Sequence, residues 1–284
     1  MAAERVVWYL WAESLVLAIP NNSGGHFVSG SGGLGTRLPY SNRADYFSGH
    51  FNFQFTTLEW EIHNMDEILK LFVKGGPGNK DLGDCPFSHR ANLAFRIKGV
   101  RPELVLVDLS NKPSWFLELT PAGSVPVLRT ADGKIITNSV EIVEYVDENY
   151  HEPSLKPEGW KAALDATDNV FNEFGKYAKN FKNAAANKEQ LEQAFTQELR
   201  KIDSFISQGP GPLLCGATWS VPDCYLLPRL YHIRAVASHY MSYTAFTDMP
   251  ALSQYMEHGF STAEFKDTSY PEAYILHGWA KYFE

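Results

Sequence analysis

The feature that most constrains this chain is a change of period near residue 151. Upstream, short apolar runs alternate with one helix-length pattern after another; downstream, nearly every apolar position repeats at helical spacing. Leu69–Val73 reads as a short strand closed by the Gly-Gly-Pro-Gly-Asn loop at 75–79. Phe87–Lys98 reads as a helix closed by Gly99. Leu104–Val107 is a second strand, whose unbroken apolar run predicts burial inside a sheet. A connection follows. Val125–Leu128 and Lys134–Ile136 then flank an Asp132-Gly133 turn, a hairpin signature, and Ser139 opens a helix with Ile142, Val143 and Val146 on one face.

The resulting order, β-α-β and then β-β-α, predicts a thioredoxin-like α/β domain over residues 66–150. A Pro-punctuated linker at 151–159 introduces an all-helical domain to residue 284. Its amphipathic segments are expected over 160–183 and 188–207, ended by Gly209-Pro210-Gly211-Pro212. Ser220-Val221-Pro222-Asp223 then supplies a capping box with Asp at the third helical position, opening a helix through Leu226, Leu227, Leu230 and Ile233.

Residues 1–65 do not share this patterning. The first 64 hold no lysine, three arginines, five acids and seven glycines, and 21–35 reads as flexible linker. Two readings stand: a poorly formed targeting leader, or upstream sequence outside the folded enzyme, the second being favoured. Gly30-Ser31-Gly32-Gly33-Leu34-Gly35 spells a dinucleotide-binding G-x-G-x-x-G, but Pro39 follows and no strand–helix context surrounds it. Composition narrows the function. With 25 Lys+Arg against 33 Asp+Glu the net charge is −8, and no basic block offers a footprint for nucleic acid or an anionic membrane. Three cysteines make no disulfide framework and suit a reducing compartment, and no apolar run is long enough to span a bilayer. A cytoplasmic location is expected, or the plastid stroma if residues 1–64 are an atypical transit peptide.

Chemistry concentrates at Gly83-Asp84-Cys85-Pro86-Phe87-Ser88. Cys85 sits between a strand-loop and a helix, and Pro86 occupies the first turn, where a missing N–H costs least. Unpaired backbone N–H groups and the positive end of the helix dipole favour the thiolate there. Ser88 stands where a dithiol motif would carry a second cysteine, so an external thiol must resolve the oxidised site. Downstream, a cis Val125-Pro126 bond would leave the Val125 backbone exposed to pair with a tripeptide, and Asn138-Ser139 offers a hydroxyl and N–H groups to a carboxylate. Cys215 and Cys224 read as buried structural thiols.

A thioredoxin-like domain followed by a helical one resembles the glutathione transferase plan. Lys74, Leu82–Arg90 and Leu109–Leu117, with Lys112-Pro113-Ser114-Trp115-Phe116 inside it, resemble the plant and algal dehydroascorbate reductases. Pro121–Leu128, Leu230-Tyr231-His232 and His277-Gly278-Trp279 extend the resemblance across most of 65–284. The resemblance implies glutathione-dependent reduction of dehydroascorbate to ascorbate, glutathione being a co-substrate, with no bound cofactor and no metal. It implies Cys85 as nucleophile, Lys74 and Asp84 as substrate-binding residues, and Lys112, Val125 and Ser139 as glutathione-binding residues. Two positions depart from the pattern: Ser124 replaces a frequent basic residue, and Asn138 a frequent acid. His232 and Trp279 face a substrate cleft or pack in the core. A monomer without stable membrane association is expected. Chloride intracellular channel proteins share the Cys-Pro-Phe-Ser site, so the rival readings are an omega-type thiol transferase and a membrane-inserting module.

Overall fold

The computed structural model describes residues 68–182 and 187–284; the expectations for residues 1–65 lie outside the described residues. The chain starts with strand β1 (Lys70–Lys74), helix α1 (Pro86–Ile97) and strand β2 (Glu103–Val107). Helix α2 (Ser114–Leu119), strands β3 (Val127–Arg129) and β4 (Ile135–Ile136), and helix α3 (Ser139–Asn149) complete the α/β half. The sheet order is β2-β1-β3-β4, with β1 parallel to β2 and the other pairs antiparallel. This is the mixed four-stranded sheet of a thioredoxin-like fold.

Two local expectations need correction. β2 is an edge strand: its residues Glu103 and Leu104 are exposed, Leu104 by 38%, and its apolar run is fully buried only at Val107. The run is continuous because β2 is apolar on both faces, not because both faces are covered. The stretch read as a connection contains α2, which turns Phe116 inward against Phe72, Val107 and Val127 beneath the sheet.

From Trp160 onward the described chain is helical: α4 (Trp160–Thr167), α5 (Val170–Lys179), α6 (Lys188–Ser207), α7 (Val221–Tyr240), α8 (Pro250–Ser261), α9 (Ala263–Thr268) and α10 (Glu272–Trp279). The single segment expected over 160–183 is two helices. At the break the Thr167 hydroxyl donates back to Ala163 O at 2.9 Å, a local bond that competes with helix continuation.

One helix packs between the halves, and two buried carboxylates brace the elements on either side of it. α1 is buried along nine of its twelve positions, between the sheet with α3 on one side and α7 with α9 on the other. At its C-terminal end, Lys98 lies with its side chain fully buried, donating to Asp147 Oδ1 at 2.7 Å and to the Pro153 carbonyl at 2.6 Å. Asp147 also accepts the Leu155 N–H at 2.8 Å, so one carboxylate ties α1, α3 and the 151–159 linker. The expected capping box opens α7: Asp223 accepts from Ser220 N at 2.9 Å and from the Ser220 hydroxyl, and further from Leu214 N and Tyr255 Oη, both at 3.0 Å.

Asp223 therefore holds four donors in the core, and each would be stranded without it. Asp223→Ala is expected to destabilise the protein by about 3 kcal/mol or more, against about 1 kcal/mol for Ser220→Ala, as read from denaturant unfolding midpoints.

His89 makes the same interface sensitive to pH. Its Nε2 lies 3.1 Å from the Thr268 hydroxyl, which donates to the Glu264 carbonyl at 2.9 Å and so accepts from the ring. Burial lowers the pKa of His89 from 6.5 to about 3, which keeps the native ring neutral. The unfolded chain binds this proton below about pH 6.5 and the native chain does not, so stability falls as pH drops from 6.5 toward 3. Relative to His89→Gln, the wild-type protein should lose about 1.4 kcal/mol more per pH unit near pH 5, one proton's worth. Parallel stability curves for the two proteins would refute this.

Candidate active site

β1 ends at Lys74, and the chain makes a short excursion before α1. Gly83 N–H returns to Lys74 O at 2.8 Å, and Gly76 N–H bonds Asp81 O at 2.8 Å. This closure delivers Asp84 and Cys85 to the base of the helix. Cys85 is the N-cap, in extended backbone (φ −128°, ψ 108°), with Pro86 opening the helix as its fixed φ prefers. The Ser88 N–H donates to Cys85 Sγ at 3.4 Å. The sulfur thus takes the place of a capping oxygen at the positive end of the dipole. Cys85 is 9% exposed and lines an open cavity.

Lys74 and Asp84 flank that sulfur and face each other, Nζ to Oδ1 at 2.7 Å. Gly278 explains how closely α10 approaches: a Cβ there would come within 2.2 Å of Asp84 Oδ2. The His-Gly-Trp motif therefore seats the carboxylate against bare backbone. The next residue, Trp279, donates its indole N–H to His232 Nδ1 at 3.2 Å. Because an indole can only donate, His232 carries its proton on Nε2 and donates it to Tyr270 Oη at 2.7 Å. Burial lowers the His232 pKa to about 3, with the Lys74 charge adding to the effect and His89 doing so only once it is itself protonated. Burial also holds the Tyr270 hydroxyl well above its ordinary value, with the Cys85 and Asp84 charges adding to the effect. The wall of the site is thus a neutral, hydrogen-bonded Trp–His–Tyr chain. Both alternatives weighed for His232 and Trp279 apply together: they are packed and hydrogen-bonded, and they border the cavity.

The cavity measures about 690 Å³ and is lined by Lys74, Asp84, Cys85, His232 and Trp279. Pro86, Phe87 and Leu109 add to that lining, and the wall opposite comes from α5 and the C-terminal turn, including Phe171, Lys176, Lys179, Lys281 and Tyr282. Sequence reading passed over this second group. Those lysines look like any solvated helix face until α5 is folded across the mouth of the site.

Lys112, Val125 and Ser139 lie outside this lining. The Val125–Pro126 bond is cis, the condition on which the Val125 reading depends. Lys112 extends over the loop before it, with Nζ only 3.0 Å from the position a Cβ on Gly123 would take. Ser139 opens α3 but is buried, and its hydroxyl accepts from Arg90 Nη1 at 3.3 Å. Arg90 stacks on Tyr225 at 3.8 Å, and burial lowers its pKa to about 10. Asn138 is the N-cap of α3, its Oδ1 accepting the Val140 N–H at 2.9 Å.

Of the other thiols, Cys224 is fully buried as expected, and burial pushes its pKa up. Cys215 is only half-buried, a departure from expectation, because it lies in the loop before α7; burial still raises its pKa.

Comparison with known proteins agrees with this architecture. The glutathione S-transferase N-terminal domain model matches residues 84–149, and the C-terminal domain model matches 169–268. The rice (Oryza sativa subsp. japonica) protein "Probable glutathione S-transferase DHAR1, cytosolic" is 32% identical over 75% of this chain and 97% of its own length. Arabidopsis thaliana "Glutathione S-transferase DHAR2" is 32% identical over 74% of this chain and 96% of its own. The crystal structure of Chlamydomonas reinhardtii dehydroascorbate reductase superposes with a TM-score of 0.67 at 28% identity, covering 76% of this chain and 99% of that one. With both domain models matched in order and the plant relatives aligned over nearly their whole length, this chain belongs to the glutathione S-transferase family and stands within it beside the DHAR proteins.

Proposed function

We propose that this protein reduces dehydroascorbate to ascorbate at the expense of glutathione, with Cys85 as a monothiol nucleophile. The observation that carries the reading is the sulfur of Cys85 at the N-cap of α1, bonded by the Ser88 N–H and opening on a cavity shared with Lys74 and Asp84. The relatives named above, two called DHAR and one a dehydroascorbate reductase, support the substrate.

In the first half-reaction the Cys85 thiol and one glutathione thiol together give two electrons and two protons to dehydroascorbate. Ascorbate departs, and a Cys85–glutathione disulfide remains. In the second, another glutathione displaces Cys85 from that disulfide, releasing oxidised glutathione and the free enzyme thiol. Lys74 meets the polar, oxygen-rich substrate with a positive charge, and Asp84 orients that ammonium. Lys112, Val125 and Ser139 hold the first glutathione: Lys112 by charge, Val125 by its backbone, and Ser139 with the N-terminus of α3 at the γ-glutamyl end. Among the described residues, no helix is long and apolar enough to cross a membrane, and nothing in the geometry favours a membrane-inserting role.

Cys85→Ser should abolish ascorbate formation, because a hydroxyl stays protonated and forms no disulfide. Cys215→Ser and Cys224→Ser should keep their turnover, with some stability lost at the buried site. Activity retained in Cys85→Ser, or equal loss in all three variants, would overturn the monothiol mechanism. Comparing turnover of dehydroascorbate with that of a low-molecular-weight glutathione disulfide separates this reading from an omega-type thiol transferase. Gly278→Ala is expected to cut dehydroascorbate turnover about tenfold or more while leaving unfolding temperature nearly unchanged, since its Cβ displaces the Asp84 carboxylate.

A further inference from the structure

The cavity carries charge that the chemistry at Cys85 does not use. In a chain of net charge −8, the lining holds Lys74, Lys176, Lys179 and Lys281 against a single acid, Asp84. Lys74 is neutralised by Asp84 and Lys176 by Glu173, each at 2.7 Å. Among the described residues, Lys179 and Lys281 have no carboxylate within ion-pair distance. Their ammonium groups flank one ring, Tyr282, at 5.9 and 5.1 Å from its centre. Tyr282 in turn lies 5.7 Å from Trp279, the residue hydrogen-bonded to His232 in the cavity wall. The two charges are therefore held near each other at the mouth of the site, on the helical side.

We propose that Lys179 and Lys281 form the docking site for the thiol that resolves the mixed disulfide, a second glutathione recognised through its carboxylates. The inference rests on the monothiol function proposed above. Thiol–disulfide exchange is an in-line displacement: the incoming thiolate attacks the glutathione sulfur, the bond from that sulfur to Cys85 breaks, and Cys85 leaves with the electron pair as a thiolate. The attacking sulfur must come from the side opposite Cys85. With Cys85 anchored at the base of α1, that side is the cavity. The residues assigned to the first glutathione, Lys112, Val125 and Ser139, line no part of it, so the two tripeptides need not compete for one set of partners. An incoming glutathione thiolate carries two carboxylates, and a pair of uncompensated ammonium groups beside its route draws it in and orients it.

The test isolates this step. The enzyme is loaded with oxidised glutathione to give the Cys85 mixed disulfide, confirmed by mass, and release is followed with glutathione or with the uncharged thiol 2-mercaptoethanol. Both lysines are exposed, so Lys179→Gln/Lys281→Gln should fold normally. The double variant is expected to react roughly tenfold more slowly with glutathione, as two surface charge contacts would dictate, and at the wild-type rate with 2-mercaptoethanol. The wild-type glutathione rate should fall toward that of the variant as salt is raised. An unchanged glutathione rate, or equal slowing with both thiols, overturns the docking site and leaves the monothiol reaction standing. Failure of Cys85 to take up glutathione at all overturns the reaction and the docking site together.

Discussion

Everything at the active site depends on the burial of one helix. α1 is packed on one flank against β1 and α3 and on the other against α7 and α9, and its polar residues Ser88, His89, Arg90 and Asn92 are buried with its apolar ones. A helix so confined cannot shift without disturbing both halves, which fixes where its N-terminus points. The dipole and the N–H groups at that end act on Cys85 only while the capping sulfur stays in register with the walls around it. The Lys98–Asp147 pair acts at the opposite end of the same helix. A fully buried ammonium cannot lose its partner cheaply, so the linker it holds through Pro153 is fastened as firmly as a core element.

The cavity divides its polarity by depth. Inside, Trp279, His232 and Tyr270 are joined by directed hydrogen bonds and carry no charge at neutral pH. Burial is the cause, since an ionised ring or phenol there would lose its hydration without an adequate counter-charge. Beside the sulfur, a single compensated pair, Lys74 and Asp84, provides charge with a fixed direction. At the mouth, the charges are lysines that remain solvated. Solvated ammonium groups attract an anion over a distance set by salt screening, while the inner wall of the cavity stays neutral.

Much of this was legible in the residue order. The thioredoxin-like strand and helix order, the Asp132-Gly133 hairpin, the capping box at Ser220 and the N-cap position of Cys85 all follow from local rules acting within a few residues. Turn chemistry, capping and proline geometry need no distant partner, which is why such motifs can be read directly. The proximity of Lys74 to Asp84 was implied by family resemblance, and the nine-residue excursion between them, 75–83, brings it about.

What the tertiary structure decided is everything that depends on which surface lies opposite. The apolar run of β2 could not reveal that it lies at the edge of the sheet, because side chains report which faces are covered and not whether the backbone pairs along one edge or both. The break between α4 and α5 interrupts a helical period that continues across it. Gly278 is an unremarkable helical residue until α10 is laid against Asp84. Lys179 and Lys281, a hundred residues apart, become one feature only when α5 and the C-terminal turn meet across the same cavity. The sequence by itself determined the fold class and the place of the Cys85 sulfur at a helix N-terminus, since both rest on short-range backbone preferences. The shape and charge of the space in front of that sulfur came from long-range packing, where position in three dimensions is set by the whole core and not by neighbours in the chain.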